Sequence, residues 1–319
     1  MAINILKTRL DKSKDVLKGP LPDVRRVNIW PQIIRIKDAI PEEFKSTLNT
    51  TTLCDSPVFP YMIYIPDYHW EMSDRGFQFV NSKSILVVLD EDKIHIFEKS
   101  ESKIISTTLR SNDICYIERG CILLFSWIRI CGNNEGSSAS MEFITTAERI
   151  FDPIIEKLRS HYDNPIDLST GVKPKPFDHQ KDISIKMWSY AYDVKKSFLP
   201  GQDIIDTVYQ SRIYKLNIKK ISNLISYSHF IILTNKELIL ITEEEEYGAF
   251  WKYIPLNKIE NISFKEGDQS QTIFKKQKIF VLSIDLSNKE KISILFSLSN
   301  KSYVDSVMEK YYSARNIIG

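Results

Sequence analysis

Apolar residues along this chain fall mostly in short runs that alternate with polar ones, the period of two that predicts half-buried strands, and only a few stretches carry the 3.6-residue stripe of a helix. Two of the strand pairs align with each other without a gap. Residues 86–99 (LVVLDEDKIHIFEK) match residues 230–243 (FIILTNKELILITE): an apolar strand, a polar turn at Asp90-Glu91-Asp92 or Thr234-Asn235-Lys236, then a strand with Ile94 and Ile96, or Leu238 and Leu240, on one face. Asn and Asp suit such turns because they tolerate a positive φ and bond their own backbone. The flanks correspond too. Asn112 to Glu118 (NDICYIE) and Asn257 to Ser263 (NKIENIS) each lead from polar residues into a strand.

Further strands are expected at 123–130 and 141–144 after the first hairpin, and at 278–286 and 291–298 after the second. Each series ends in an amphipathic helix. The first has Ile150, Ile154 and Leu158 at steps of four beside Phe151 and Ile155. The second has Tyr303, Val304, Val307, Met308, Tyr311 and Tyr312 on its stripe, with Asn300 as N-cap.

The same order of elements twice over predicts a duplication, with residues 57–161 as one module and 199–319 as the other. Strands that cannot bury both faces alone, followed by one helix with a single apolar side, predict a small bent sheet or barrel with the helix over an open end. The alternative is one continuous α+β domain. Residues 164–182, with Pro165, Gly171, Pro174 and Pro176 among charges, read as linker, and residues 183–198 as a helix stopped by Leu199-Pro200-Gly201 before a strand at 203–213. Residues 162–198 thus separate the modules. Residues 1–56 form an N-terminal extension, with a helix expected over 3–17 and a strand over 24–36 interrupted at Pro31; it has no counterpart before the second module.

The totals narrow the function. Forty-three basic and 41 acidic residues leave a net charge of +2, too balanced to collect nucleic acid by long-range attraction. Charges at Lys7, Arg9, Asp11 and Lys12 interrupt the start, so export is not expected, and no apolar run approaches the ~20 residues of a membrane-spanning helix. Four cysteines, Cys54, Cys115, Cys121 and Cys131, make no disulfide framework, which predicts a cytoplasmic, reducing environment.

The run Leu233-Thr234-Asn235-Lys236-Glu237-Leu238-Ile239 resembles the bacterial pleckstrin-homology-like and GRAM-like modules. So do Leu199-Pro200-Gly201-Gln202 upstream of it and Tyr253-Ile254-Pro255-Leu256-Asn257-Lys258-Ile259 downstream. Leu89 to Ile94 is a weaker version in the first module. The resemblance implies tandem bent barrels of seven strands, each capped by a C-terminal helix, in a family that binds lipids, peptides or copies of itself. In phosphoinositide-binding members, basic residues in and beside the first hairpin hold phosphates. The matching stretch 66–76 offers only Arg75 and His69 against Asp67, Glu71 and Asp74; the second module offers Lys215, Lys219 and Lys220, without the K-x-R spacing of the lipid signature.

Motifs for chemistry are missing. The five histidines are scattered, the cysteines lack C-x2-C spacing, and no glycine-rich phosphate loop or G-x-S-x-G elbow occurs, so no catalytic residue, metal or cofactor is expected. Aromatic residues near strand starts, Tyr61, Tyr64, Tyr68 and Trp70 in one module and Phe250, Trp251 and Tyr253 in the other, read either as core or as an anchoring surface. The expected function is therefore a non-catalytic interaction protein that binds a protein partner or itself. The alternative is a peripheral membrane protein that binds anionic headgroups through Lys215, Lys219 and Lys220.

Overall fold

The structure, a computed structural model, describes residues 30–49, 53, 59–73, 76–81, 83–100, 103–122, 125–134, 137–162, 198–216, 222–244, 248–266 and 279–316. The helix expected over 3–17, the linker 164–182 and all but the last residue of the helix expected over 183–198 lie outside these residues. The chain divides into two compact units. One comprises residues 1–109, 124–127 and 141–154; the other comprises residues 110–123, 128–140 and 155–319. The described residues are mainly β, with a few helices, in antiparallel sheets that each have two open ends.

The first unit is built on a five-stranded sheet of β1 (Gln32–Ile34), β2 (Tyr61–Ile65), β5 (Ser84–Asp90), β6 (Lys93–Ser100) and β7 (Lys103–Arg110), in that order. Between β2 and β5, β3 (Tyr68–Ser73) and β4 (Gly76–Asn81) pair with each other. The expected hairpin is β5–β6. Asp90 pairs with Lys93, leaving a two-residue turn in which Glu91 takes the positive φ, 47°.

Register explains the unbroken apolar run at the start of β5. Met62 opposes Val88, and Leu86 opposes Phe97; these four form one face. Ile63, Val87 and Ile96 form the other, each with no exposed surface. A strand buried on both faces has no polar positions to alternate with. The N-terminal extension covers the first face: Ile34 of β1, Ile40, and Phe44 and Leu48 of α1 (Glu42–Asn49) pack on Met62, Leu86, Val88 and Phe97. Glu42 and Glu43 suit the positive end of α1.

The second unit holds the other expected hairpin, β14 (His229–Thr234) and β15 (Glu237–Glu244), flanked by β11 (Ile204–Gln210) and β16 (Gly248–Pro255). The sheet continues past β16 into β8 (Ile114–Ile122), then β9 (Phe125–Gly132) and β10 (Ser138–Ile144), giving the order β10-β9-β8-β16-β15-β14-β11. Of β9 and β10 this unit holds residues 128–132 and 138–140. A separate three-stranded sheet runs β17 (Ile259–Glu266), β18 (Ile279–Leu286) and β19 (Lys291–Ser297), while β12 (Ile213–Leu216) pairs with β13 (Ser222–Ser226).

Two helices follow strands as expected. In α2 (Asp152–Ser160), Ile154, Ile155 and Leu158 are buried, whereas Ile150 belongs to the preceding 3-10 segment Thr145–Phe151. In α3 (Lys301–Asn316), Val304, Val307 and Tyr311 join the core formed by Ile205, Val208, Ile231, Ile284, Phe296 and their neighbours. Tyr303, expected on that stripe, stands 60% exposed. Asn300 ends a 3-10 turn ahead of α3, and its side-chain amide donates to Tyr209 O and Gln210 Oε1, which fixes the helix start to β11. No described helix is long and apolar enough to cross a membrane.

Candidate functional site

The β7 strand, Lys-Ile-Ile-Ser-Thr-Thr-Leu-Arg, is rich in β-branched residues that favour extended backbone. It ends its sheet: β6 lies on one side, and no described strand pairs on the other. Apart from buried Leu109 its residues are exposed or half-buried, Ile105 standing 46% exposed. An edge of this kind presents a row of backbone N–H and C=O groups to which an extended chain can add. It carries charge only at Lys103 and Arg110, the two ends, and has no proline to block pairing.

The strand β16 shows what such an edge looks like when occupied. On one side it pairs with β15 and on the other with β8, antiparallel from Gly248↔Ile122 to Tyr253↔Ile117. Cross-strand contacts fix that register. Lys252 Nζ lies 3.0 Å from Glu118 Oε2, directly opposite, and 4.3 Å from the centre of the Tyr116 ring. Arg119 places its guanidinium 5.8 Å from the Trp251 ring, again directly opposite.

The outer edge of β17 is an intermediate case. No described strand pairs there, but α3 reaches its backbone at two residues: the Tyr311 hydroxyl donates to Ile259 O at 3.1 Å, and the Tyr312 hydroxyl donates to Ile262 O at 2.7 Å and accepts from Ile262 N at 3.0 Å. Asn261 Oδ1 lies a further 3.0 Å from the same hydroxyl.

Polar groups concentrate at two other places in the second unit. At the tip of the β14–β15 hairpin, Arg159 of α2 forks onto Glu237, both side chains wholly buried; Nε lies 3.2 Å from each carboxylate oxygen and Nη2 2.5 Å from Oε1. Gln202 donates to the same Oε1 at 2.6 Å and to Thr234 Oγ1 at 3.1 Å, and the Arg159 guanidinium lies 4.1 Å from the Tyr253 ring. Burial pushes the Tyr162 phenol well up, and its hydroxyl has no hydrogen-bond partner among the described residues. This cluster is closed to solvent, so it serves to fasten α2 to the hairpin.

The other place is an open concavity of about 310 Å³ lined by Arg129, Cys131, Asn134, Ser137, Asn288, Lys289 and Glu290, among others. Tyr116 donates to Glu290 Oε2 at 2.8 Å, and Arg129 Nη2 is 4.0 Å from Oε1. Its facing charges are largely exposed, and such a pair contributes little, about 0–1 kcal/mol. Burial pushes the Tyr116 phenol and the Cys131 thiol up, so neither is a ready nucleophile at neutral pH.

Of the aromatic residues expected at a binding surface, Tyr64, Trp251 and Tyr253 are buried or half-buried. Tyr64 is half-buried beneath α1, edge-on to Phe44 with ring centres 6.3 Å apart and donating to Glu43 Oε1 at 3.3 Å; burial, then Glu43, pushes its phenol up. Trp251 is 6% exposed, and Tyr253 is 2% exposed against Arg159, so both belong to the fold's interior and not to an anchoring surface. Tyr68 and Trp70 lie on β3 opposite Asn81 and Phe79. Lys215 lies on β12 opposite Asn223, and Lys219 and Lys220 lie outside the described residues. β7 has no counterpart among the strands expected from the sequence. Its signal is the run Ile-Ile-Ser-Thr-Thr, whose exposed middle gives no alternation to read. No family model and no curated protein matches this chain.

Proposed function

We propose that this is a non-catalytic cytoplasmic binding protein of two pleckstrin-homology-like modules, and that it takes up a strand of a protein partner along the β7 edge. The order of elements supports the modules. Nine strands and a helix, β2 to β10 with α2, correspond to β11 to β19 with α3, and a 3-10 turn precedes β8 at Ser111–Asp113 as another precedes β17 at Leu256–Lys258. Pairing corresponds as well: β2-β5-β6-β7 to β11-β14-β15-β16, and β3–β4 to β12–β13. Because β3–β4 and β12–β13 prolong the hairpins β2–β5 and β11–β14, each set reduces to seven long strands and a terminal helix.

One observation carries the binding mode: β7 and β16 hold the same place in the two sets, and only β16 has a described strand on its second side. The test is affinity capture on the immobilised full chain, wild type against Ser106→Pro, with retained proteins identified by mass spectrometry. Proline lacks the backbone N–H that strand pairing uses and is poorly tolerated where another strand adds. At least one protein held by the wild type is expected to be lost from the variant while its circular dichroism is unchanged; an identical retained set would rule out the β7 edge.

A further inference from the structure

The join of β8 with β16 shows how these sheets meet, and we propose that copies of the chain repeat it between molecules, β17 of one copy adding antiparallel to β7 of the next. The inference rests on the reading of β7 as an acceptor edge and names its occupant. In each set of strands a 3-10 turn separates an acceptor from a donor: β7 from β8 at Ser111–Asp113, and β16 from β17 at Leu256–Lys258. Donor β8 and acceptor β16 satisfy each other within the chain. Acceptor β7 and donor β17 remain, each at the end of its sheet among the described strands.

The register carries over residue by residue. Counting from the two turns, Thr107 corresponds to Lys252 and Ser263 to Glu118, so the opposed pair Lys252↔Glu118 becomes Thr107↔Ser263. Trp251↔Arg119 becomes Ser106↔Phe264, Tyr253↔Ile117 becomes Thr108↔Ile262, and Phe250↔Gly120 becomes Ile105↔Lys265. A hydroxyl pair replaces the ion pair at the centre, and no two like charges face each other in these four positions, the arrangement that favours antiparallel pairing. Donor and acceptor are different surfaces, so the contact is head-to-tail and each added copy exposes a new end.

Tyr312 restrains this assembly. Ile262 is the counterpart of Ile117, which pairs with Tyr253; on β17 the Tyr312 hydroxyl instead supplies both a donor and an acceptor to the Ile262 backbone. It stands where an incoming strand would bond, and α3 has to release it before β17 is complete as a donor. The wild-type chain therefore associates weakly, and loss of that one hydroxyl strengthens association without disturbing the ring's packing against Tyr311.

Sedimentation equilibrium of the full chain and of Tyr312→Phe tests the restraint, and cross-linking tests the register. Thr107→Cys and Ser263→Cys are made in separate chains in the Tyr312→Phe background, mixed and oxidised, and linked peptides are identified by mass spectrometry. The expected results are self-association of Tyr312→Phe at least about fivefold tighter than wild type, and a disulfide between residues 107 and 263. Ile105→Lys, opposite Lys265, is expected to weaken association about threefold, with Lys265→Glu restoring it. The proposal is overturned if Tyr312→Phe sediments like the wild type, if no 107–263 link forms, or if Ile105→Lys has no effect. If Ser106→Pro still abolishes capture of another protein while the 107–263 link fails, only the identity of the occupant falls; if neither result appears, the β7 reading falls with it.

Discussion

His229 is held between two hydroxyls, with Ser226 Oγ 2.9 Å from Nε2 and Thr242 Oγ1 3.1 Å from Nδ1, and burial pushes it from the ordinary 6.5 down to about 4. The unfolded chain takes up a proton near 6.5 and the folded chain only near 4, so between these values the unfolded state binds more protons. Stability contributed by the neutral ring is complete above that window and is lost as pH falls through it, by on the order of 3 kcal/mol at most. Urea midpoints of the wild type are expected to drop between pH 6.5 and 4 more steeply than those of His229→Gln, which can bond both hydroxyls without titrating. Parallel slopes would remove His229 as the cause. The contact was legible in principle: His229 faces Thr242 in the gapless hairpin that the alternation of residues 230–243 predicts. What the sequence alone withheld was the depth of burial, which depends on strands far along the chain.

At the level of elements, the motif Leu-Thr-Asn-Lys-Glu at 233–237 has a mechanical explanation. Thr234 Oγ1 accepts from the N–H groups of Lys236 and Glu237 and so shapes the turn. Asn235 bonds the backbone of Asp203 and Gly201, tying the turn to the Leu-Pro-Gly-Gln segment. Gly201, at φ 72°, allows that segment to reverse. Glu237 then meets Arg159, whose position 78 residues away no local pattern announces. Arg159→Met leaves a buried carboxylate without its cation and is expected to cost about 3–5 kcal/mol, whereas adding Glu237→Leu recovers most of that loss. Urea unfolding of the two variants decides it: equal destabilisation would mean that the pair is not the unit that matters. The N-terminal extension had no assignable place for a related reason. Phe44 and Leu48 are the buried residues of α1, a stripe too short to announce the helix, and the face they dock on, Met62, Leu86, Val88 and Phe97, exists only once β2, β5 and β6 are in register.

On the scale of the whole molecule, the alternation of short apolar runs led to the mainly β class and both hairpins, and the 3.6-residue stripes led to both terminal amphipathic helices. It did not lead to the pairing of β8 with β16, because strand neighbours distant in sequence are chosen by exposed backbone and a few cross-strand contacts, such as Lys252 with Glu118, that carry no periodic signature. That pairing bears on how the polypeptide tolerates a break. The backbone between residues 162 and 198 is not the sole tie between the portions on its N-terminal and C-terminal sides, since a full strand ladder and the Arg159–Glu237 fork also bridge them. A protease site introduced there is expected to yield two fragments that elute together under native conditions and part only in denaturant. Separate elution would show the covalent thread to be indispensable; joint elution would make this chain a natural candidate for fragment complementation.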